Sequence, residues 1–322
     1  MTKVLIISNK SDITSDFIVK SLNRKSIEFY RFNTEELTKS VTFSLNFSTN
    51  SYQIIDSKIG KSFDLKEFTS VYYRRPELPV FNSSELSVSE INFIRNEFIY
   101  TLEGFYKLLR NAYWISPLYS IREAENKIYQ LDLAKSMGFT IPNSIITNSY
   151  EQVSIFFKEN KEECIIKPIK SGLIEDDNES KVVFTNILKS IPENKEKISS
   201  STNYLQSHIL KKGDIRVIVV GNILFPTLIH SQENSKTKTD WRKGEMNLKH
   251  EKIDLPEEIN IKCIALLQAL KLRYGAIDFI LDDNGNYIFL EINPNGQWAW
   301  IEKQTGYNIT QEIVKLLQYE TF

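Results

Sequence analysis

The sequence predicts an α/β protein of about two domains, and three observations carry this prediction. Near the N-terminus, a buried-strand pattern at residues 4–8, a helical pattern at 11–22 and a second strand at 27–32 form a strand–helix–strand unit. Apolar side chains recur at helical spacing through residues 90–110. Towards the C-terminus, two runs with strand composition flank Asn284-Gly285, a strong signal for a tight hairpin. A length of 322 residues supplies enough chain for a substantial core.

Composition argues against several classes of function. Lys and Arg number 40 against 41 Asp and Glu, whereas a general nucleic-acid binder is expected to carry a basic excess. The two cysteines, Cys164 and Cys263, indicate no disulfide framework and fit a reducing cytoplasm. No apolar run approaches the ~18 residues of a membrane span, and the N-terminal apolar run is too short for a secretory signal. The three histidines are scattered and lack the spacing of zinc ligands. No G-x-G-x-x-G follows the first strand, so a dinucleotide-binding site is not supported. We therefore expect a cytoplasmic protein that binds neither nucleic acid nor membrane.

The N-terminal domain is predicted to continue with strands at 41–47, 52–55 and 71–73 and to close with the long helix at 90–110. The strand at 71–73 ends in Arg74-Arg75-Pro76. The guanidinium forks of Arg74 and Arg75 match carboxylates, so both are candidate substrate contacts for an anion or a peptide. The alternative is that both are solvated residues at the rim of the sheet.

A second domain is predicted to begin with Ser120-Ile121-Arg122-Glu123, a capping-box pattern that opens a helix reaching residue 137. Gly138 ends that helix, and Lys127 lies one turn into it, where a lone lysine is ordinarily a surface residue. A strand at 164–168 then carries Lys167 into a polar loop at 169–180, which holds Ser171-Gly172 and an acidic run, and a strand follows at 182–185. Two strands joined by a loop, with a lysine just before the loop, would suit a flap that covers phosphates. The alternative is an ordinary surface hairpin.

The rest of the chain reads as strands and two helices around a long loop. Residues 204–209 alternate like a strand, 214–220 and 223–229 follow as strands, and a helix is expected at 257–272 with Ile261 and Gln268 on its apolar stripe. On the strand at 214–220, Arg216 shares a face with Asp214 and needs a partner among its apolar neighbours, which could be Asp214 or a ligand phosphate. The loop at 231–249 is long, polar and holds Asp240-Trp241-Arg242, and loops of this kind are often functional. A closing helix is predicted at 309–317.

The hairpin around Asn284-Gly285 predicts a metal site. If these two residues form the turn, Leu281 faces Ile288, Ile280 faces Phe289 and Asp278 faces Glu291. Asn293 lies on the same face as Glu291 because strand side chains alternate. Like charges opposite each other destabilise a sheet, so two carboxylates and an amide oxygen together favour a hard cation such as Mg²⁺. The alternative is that Asp278 and Glu291 are solvated on an open face.

Taken in order, these segments resemble the ATP-grasp ligases, and the resemblance covers roughly residues 115–322. It rests on Lys127, Lys167, the segment 206–208, Asp214-Ile215-Arg216, Asp240-Trp241-Arg242 and Asp278 followed by Glu291-Ile-Asn-Pro-Asn295. The resemblance implies an ATP-grasp fold, with a Rossmann-like pre-ATP-grasp domain at 1–116 and two α+β lobes at 117–203 and 204–322. It also implies ATP and Mg²⁺ as cofactors. The roles it implies are nucleotide binding by Lys127, Lys167, Gln206, Ser207, His208 and Asp214, catalysis by Arg216 and Arg242, Mg²⁺ binding by Asp278, Glu291 and Asn293, and substrate binding by Arg74, Arg75 and Asp240.

The chain is more closely similar to the graspetide, or microviridin-type, peptide macrocyclases. This resemblance rests on Tyr73-Arg74-Arg75-Pro76, on Lys167-Pro168 followed by residues 171–174, and on Asn293-Pro-Asn-Gly-Gln297-Trp298. It implies an enzyme that converts Asp or Glu carboxylates of a ribosomal precursor peptide into acyl-phosphates and joins them to Ser/Thr hydroxyls or Lys amines. The implied partner is the leader and core of that peptide, and a homodimer is expected by analogy. The chain departs from many ATP-grasp loops because its expected phosphate flap has only Gly172.

Two other functions remain open from the sequence. An ATP-grasp ligase that adds an amino acid to a small molecule or a protein C-terminus would use the same nucleotide site. A non-catalytic ATP-binding module is the other possibility, although such a module has no need of the costly carboxylate pair.

Overall fold

The structure, a computed structural model, describes residues 2–81, 85–170, 173–176, 179–243 and 248–318, and it describes no side chains from 173 to 181. The N-terminal domain opens with the predicted strand–helix–strand unit, which comprises β1 (Lys3–Ser8), α1 (Ile13–Arg24) and β2 (Glu28–Asn33). An antiparallel three-stranded sheet follows, with β3 (Val41–Asn46), β4 (Ser51–Asp56) and β5 (Lys61–Asp64). The chain then returns through β6 (Ser70–Tyr73), α2 (Val88–Leu108) and β7 (Tyr113–Trp114) to complete a parallel sheet in the order β2-β1-β6-β7.

The middle of the chain forms a smaller antiparallel sheet. Its elements are α3 (Leu118–Ala124), α4 (Lys127–Ser136), β8 (Ser144–Thr147), α5 (Tyr150–Glu159), β9 (Cys164–Lys167), β10 (Leu173–Asp176), β11 (Glu179–Val182), β12 (Asn186–Leu188), α6 (Lys195–Ser199) and β13 (Asn203–Ser207). The sheet order is β12-β9-β13-β8, and β10 pairs with β11 in a separate hairpin. Because β13 pairs with β8 and β9, this sheet extends past the boundary predicted at residue 203.

The C-terminal part is a five-stranded antiparallel sheet with helices around it. It consists of β14 (Lys211–Val220), β15 (Ile223–Ile229), β16 (His250–Lys252), α7 (Glu257–Ala269), β17 (Tyr274–Asp282), β18 (Tyr287–Asn293), α8 (Ala299–Thr305) and α9 (Ile309–Gln318), and the strand order is β16-β15-β14-β17-β18. Alternate residues of β14 enter two cores. Val217 packs with α7 on one face, and Ile218 packs on the other with α9 and with Val4 of the N-terminal sheet. The N-terminal and C-terminal parts therefore share one hydrophobic core.

The helix predicted from residue 120 to 137 is two helices. α3 begins after Pro117, and Asn126 caps α4 because its side-chain oxygen accepts the backbone N–H groups of Ile128 and Tyr129 at 3.1 and 3.2 Å. The predicted capping box at Ser120 is wrong, since Ser120 lies inside α3. Lys127 is consequently the first residue of α4 rather than a residue one turn into a longer helix.

Two further predictions about elements need correction. The stripe predicted for α7 is wrong: Cys263, Leu266, Leu267 and Leu270 are buried, whereas Ile261 is 57% exposed. The run is apolar on more than one side, so periodicity alone did not select the buried face. The polar loop predicted at 169–180 contains the β10–β11 hairpin, and Val182 ends that hairpin instead of opening a strand. Ser171, Gly172 and Asp177 lie outside the described residues, so the expected flap is not described in full.

The C-terminal hairpin has a longer turn than predicted, yet it brings the expected carboxylates together. Its loop spans residues 283–285, with Gly285 at a φ of +85°, so Leu281 pairs with Tyr287 and Ile280 with Ile288, one residue away from prediction. A β-bulge between positions 278 and 279 restores the register. Asp278 therefore pairs with Glu291 as predicted.

Candidate active site

A cleft of about 660 Å³ lies between the middle sheet and the C-terminal sheet. Its lining includes most of the residues selected from the sequence, contributed by all three parts of the chain. They are Arg75, Lys127, Lys167, Gln206, Asp214, Arg216, Asp240, Arg242, Asp278, Glu291 and Asn293. Arg74, Ser207 and His208 do not line it. Charged residues far apart in sequence thus converge on one cavity.

Glu291, on β18, is surrounded by cations. Its Oε2 lies 3.0 Å from Nζ of Lys127 at the start of α4, and the same Nζ is 3.3 Å from the carbonyl oxygen of Pro168. Burial by itself would raise the pKa of Glu291, but Lys127, Lys167 and Arg242 outweigh that effect and hold the pKa at about 2. Glu291 is therefore an anion throughout the physiological pH range.

Asp278, opposite Glu291 on β17, has a different environment. Nη1 of Arg216 lies 3.2 Å from both of its carboxylate oxygens. Burial raises the pKa of Asp278 to about 6, with Arg216 opposing the rise and Glu291 adding to it. The two paired carboxylates therefore titrate far apart, and Asp278 is the one that a change near pH 6 would neutralise.

Arg216, on β14, forms its ion pair with Asp278 rather than with Asp214. Asp214 is instead held by Lys211, whose Nζ is 2.7 Å from both carboxylate oxygens, so the predicted alternative of an Asp214–Arg216 pair is wrong. The guanidinium of Arg216 lies 5.8 Å from the ring centre of Trp241 and 6.0 Å from that of Trp300. Its Nε is buried and has no hydrogen-bond partner among the described residues. Arg216 is thus oriented by one carboxylate and two indole rings.

Arg242, in the long loop, is held by Asp240. Nε and Nη2 of Arg242 donate to the two oxygens of Asp240 at 2.9 and 2.8 Å, a bidentate pair. Asp240 also accepts the backbone N–H of Thr185 at 3.2 Å. Burial would raise the pKa of Asp240, but its bonds to Arg242 outweigh burial and lower it. Asp240 therefore acts on the cleft chiefly by orienting Arg242, whose side chain is half-exposed.

Lys167 and Gln206 lie on the middle sheet. Nζ of Lys167 is 4.8 Å from the ring centre of Tyr204, and burial lowers the pKa of Lys167 to about 8, with Glu291 opposing the change. Gln206 donates from Nε2 to Oγ of Ser144 at 2.8 Å, while its Oε1 is buried without a hydrogen-bond partner among the described residues. That oxygen is an acceptor suited to a donor of a bound ligand.

The segment 206–208 was predicted to border the nucleotide, but its three residues have different positions. Gln206 reaches the cleft, as described above. The backbone N–H groups of Ser207 and His208 donate to the carbonyls of Asn143 and Glu163 at 2.9 and 2.8 Å. Those two amides are consequently engaged in holding the strand end.

Arg74 and Arg75 occupy different environments although they are adjacent. Arg74 is 1% exposed, its Nε is 3.1 Å from Asp12, and its Nη1 donates to the carbonyls of Asn295 and Gly296 at 3.1 Å each. The alternative of a solvated rim residue is therefore wrong for Arg74. It ties the N-terminal domain to the loop that follows β18. Arg75 has a φ of +45°, lines the cleft and has a pKa lowered by burial.

The donor set at the end of the hairpin fits a hard cation. Asp278 and Glu291 pair across the ladder, and Asn293 is two residues further along β18 on the same face. Mg²⁺ is commonly held by one or two carboxylates together with phosphate oxygens, and these three side chains match the protein's share of such a site. Within the described ranges, no group of three or more His, Cys, Asp and Glu side chains is arranged to hold a metal ion.

Sequence reasoning missed several residues of the cleft, including Glu125, Gln130, Lys211 and Trp300. Gln130 had a detectable signal, because it follows Lys127 by three residues and so shares a helix face with it. Trp300 carried no signal, since its place beside Arg216 depends on the path of the chain after β18.

Two antiparallel lobes with a cationic cleft between them are the architecture of an ATP-grasp ligase. The chain belongs to the RimK-like ATP-grasp family, whose profile matches residues 124–317. Residues 3–122 match the MvdD pre-ATP grasp domain. The predicted fold class, an ATP-grasp fold preceded by a pre-ATP-grasp domain, is confirmed.

The solved structures that are similar over nearly the whole chain include two enzymes bound to peptides. A RiPP-associated ATP-grasp ligase from Chryseobacterium gregarium, in complex with ADP and a leader and core peptide, is 28% identical with a TM-score of 0.90, over 98% of this chain and 96% of that one. Macrocyclase MdnC from Microcystis aeruginosa MRC, bound with precursor peptide MdnA, is 25% identical with a TM-score of 0.87, over 98% and 99%.

The curated proteins match this chain either at lower sequence identity or over fewer residues than these two structures do. A "Probable alpha-L-glutamate ligase" of Haemophilus influenzae is 22% identical over 221 residues, 66% of this chain and 69% of the relative. "Uncharacterized protein MG012" of Mycoplasma genitalium is 32% identical over 107 residues, and the match spans only 36% of its length. Within the described ranges, no helix has the length and apolarity needed to span a bilayer.

Proposed function

We propose that this chain is an ATP-dependent peptide macrocyclase acting on a ribosomally made precursor peptide. It would activate Asp or Glu side-chain carboxylates of the peptide and join them to Ser or Thr hydroxyls or Lys amines of the same peptide. The observation that carries this proposal is the 28% identity and TM-score of 0.90, along nearly the whole chain, to a ligase bound to ADP and a leader and core peptide. The cationic cleft described above supplies the matching chemistry.

The nucleotide would be ATP, with its phosphates near Lys127 and Lys167 and its base near the free Oε1 of Gln206. Asp214, held by Lys211, would border the nucleotide from the C-terminal sheet. Asp278, Glu291 and Asn293 would hold Mg²⁺, which neutralises phosphate charge when bound.

The reaction would have two steps. A carboxylate oxygen of the peptide attacks the γ-phosphorus of ATP, and the bond from that phosphorus to the bridging oxygen breaks, giving an acyl-phosphate and ADP. A hydroxyl or amine of the peptide then attacks the acyl carbon, the bond from that carbon to the phosphate oxygen breaks, and the released phosphate takes the proton. Arg216 and Arg242, both held in fixed orientations, would neutralise charge on the transferred phosphoryl group. No enzyme nucleophile is required.

The partner would be the leader and core of the precursor, with Arg75 as a candidate contact because it lines the cleft and carries a charge. Arg74 is not included as a contact because its side chain is buried. A homodimer in the cytoplasm completes the proposal, and sedimentation of the purified chain tests the oligomeric state.

The test is incubation of the purified enzyme with ATP, Mg²⁺ and a short acidic peptide encoded beside its gene, followed by mass spectrometry. Macrocyclisation removes the mass of one water for each link, and omission of ATP abolishes the change. An unmodified peptide, together with ADP release on addition of free glutamate, would instead support an amino-acid ligase. The amino-acid ligase is the second candidate function, and the similarity to the Haemophilus glutamate ligase is the observation that supports it.

A further inference from the structure

One side chain completes the edge of the C-terminal sheet at the proposed cation site. β18 is the edge strand, so the backbone groups that point away from β17 need other partners. At Ile292, between Glu291 and Asn293, these partners come from Gln130 of α4. Nε2 of Gln130 donates to the carbonyl of Ile292 at 2.8 Å, and the N–H of Ile292 donates to Oε1 of Gln130 at 3.0 Å. The side-chain amide thus imitates one peptide unit of a neighbouring strand.

The side-chain amide of Gln130 is also held by a hydrogen bond to α3. Nε2 of Gln130 also donates to the carbonyl of Ala124, the last residue of α3, and Gln130 is only 2% exposed. Lys127, one turn earlier on α4, places its ammonium 3.0 Å from Glu291. α4 therefore contacts the strand twice, through the backbone of Ile292 and through the side chain of its neighbour.

This contact lies two residues beyond a break in the ladder between β17 and β18. The β-bulge between positions 278 and 279 leaves one extra residue, Leu290, on β18 immediately before Glu291. A bulge disrupts the ladder locally and re-aims the side chains beside it. Beyond the bulge, the segment from Glu291 to Asn293 is held by β17 on one side and by Gln130 on the other.

We propose that Gln130 is a positioning residue, which fixes Glu291 and Asn293 in the geometry that binds Mg²⁺ with the nucleotide. This inference rests on the proposed function, because it takes those two residues as cation ligands. Partners that orient metal ligands typically affect metal affinity or activity by about 10–100-fold. Gln130 needs no contact with the cation to exert such an effect.

The test uses Gln130→Met, which keeps the length and burial of the side chain and removes both amide groups. We expect the affinity for ADP in the presence of Mg²⁺, measured by titration calorimetry, to fall about 10–100-fold. The Mg²⁺ concentration that gives half-maximal ADP release should rise by a similar factor. Leu131→Ala is the matched control, because Leu131 is a buried neighbour on α4 whose loss weakens packing without removing the bonds to Ile292. It should lower the thermal unfolding midpoint and leave both Mg²⁺ readouts near wild type.

Two results would overturn the inference, and they are distinguishable. If wild type binds ADP in a Mg²⁺-dependent way and Gln130→Met binds it equally well, Gln130 has only a structural role. If wild type shows no Mg²⁺-dependent binding, the proposed cation site fails and the inference fails with it. Should Gln130→Met not fold, Gln130→Glu serves with the same readouts, since its carboxylate accepts the N–H of Ile292 but repels the carbonyl.

Discussion

Replacement of Glu291 by glutamine should destabilise the nucleotide-free protein as well as impair its chemistry. The folded protein lowers the pKa of Glu291 from 4.5 to about 2, because Lys127, Lys167 and Arg242 outweigh the effect of burial. Each pKa unit corresponds to about 1.4 kcal/mol, so ionised Glu291 contributes about 3 kcal/mol to folding at neutral pH. The side chain is 20% exposed, so solvent screens this contribution only weakly.

The lowered pKa of Glu291 determines how the stability of the protein changes with pH. A carboxyl whose pKa is lower in the folded state stabilises the protein above its unfolded pKa, and that stability is lost as the pH falls from about 4.5 towards 2. Glutamine resembles the protonated, neutral form, so Glu291→Gln removes the contribution at pH 7. Three cations around the cleft then lack the anion that faces them.

The assay is urea unfolding of the nucleotide-free protein at pH 7, followed by tryptophan fluorescence. We expect Glu291→Gln to unfold with a free energy lower by about 3 kcal/mol. Glu258→Gln is the control, because Glu258 pairs with Lys262 on the surface of α7 and should show no measurable change. Equal stability of wild type and Glu291→Gln would refute the reasoning, since it would mean that the three cations do not act on Glu291 as described.

Four further predictions concern other residues. Burial raises the pKa of Asp278 to about 6, so Mg²⁺-dependent ADP affinity should fall as the pH drops through 6, and calorimetry across that range measures it. Arg242→Lys keeps a positive charge but loses the bidentate fork, so turnover measured by ADP release should fall by about 10²-fold. Arg74→Met leaves Asp12 buried without its ion-pair partner and should cost about 3–5 kcal/mol in urea unfolding. Arg75→Glu should weaken binding of the precursor peptide while ADP affinity stays constant, and unchanged peptide affinity in a calorimetric titration would remove Arg75 from the peptide site.

Local patterns predicted much of the fold. The first strand follows from an uninterrupted apolar run, because β1 is buried on both faces. The first and last helices follow from helical periodicity, because α1 and α9 each bury one face. Asp278 and Glu291 were paired correctly even though the turn is one residue longer than predicted, because the bulge at Leu290 compensates. That success depended on a feature that the sequence pattern does not reveal.

Contacts between residues far apart in sequence were not predictable from local sequence patterns. Arg74 and Arg75 are equivalent by residue type, yet one is buried against Asp12 and the other lines the cleft, a difference that depends on the loop after β18. The contacts of Lys127 with Glu291 and of Gln130 with Ile292 join α4 to a strand more than 160 residues away. No spacing rule predicts such contacts, since they follow from how the two lobes meet.

The most direct test of the central claim follows oxygen atoms through the reaction. The precursor peptide is prepared with oxygen-18 in its Asp and Glu carboxylates and incubated with the enzyme, ATP and Mg²⁺, with Glu291→Gln as the control. If a carboxylate oxygen attacks the γ-phosphorus, each new link should release one inorganic phosphate that carries one oxygen-18, and the peptide should lose one labelled water. Linked peptide accompanied by unlabelled phosphate would contradict activation of the carboxylate as an acyl-phosphate.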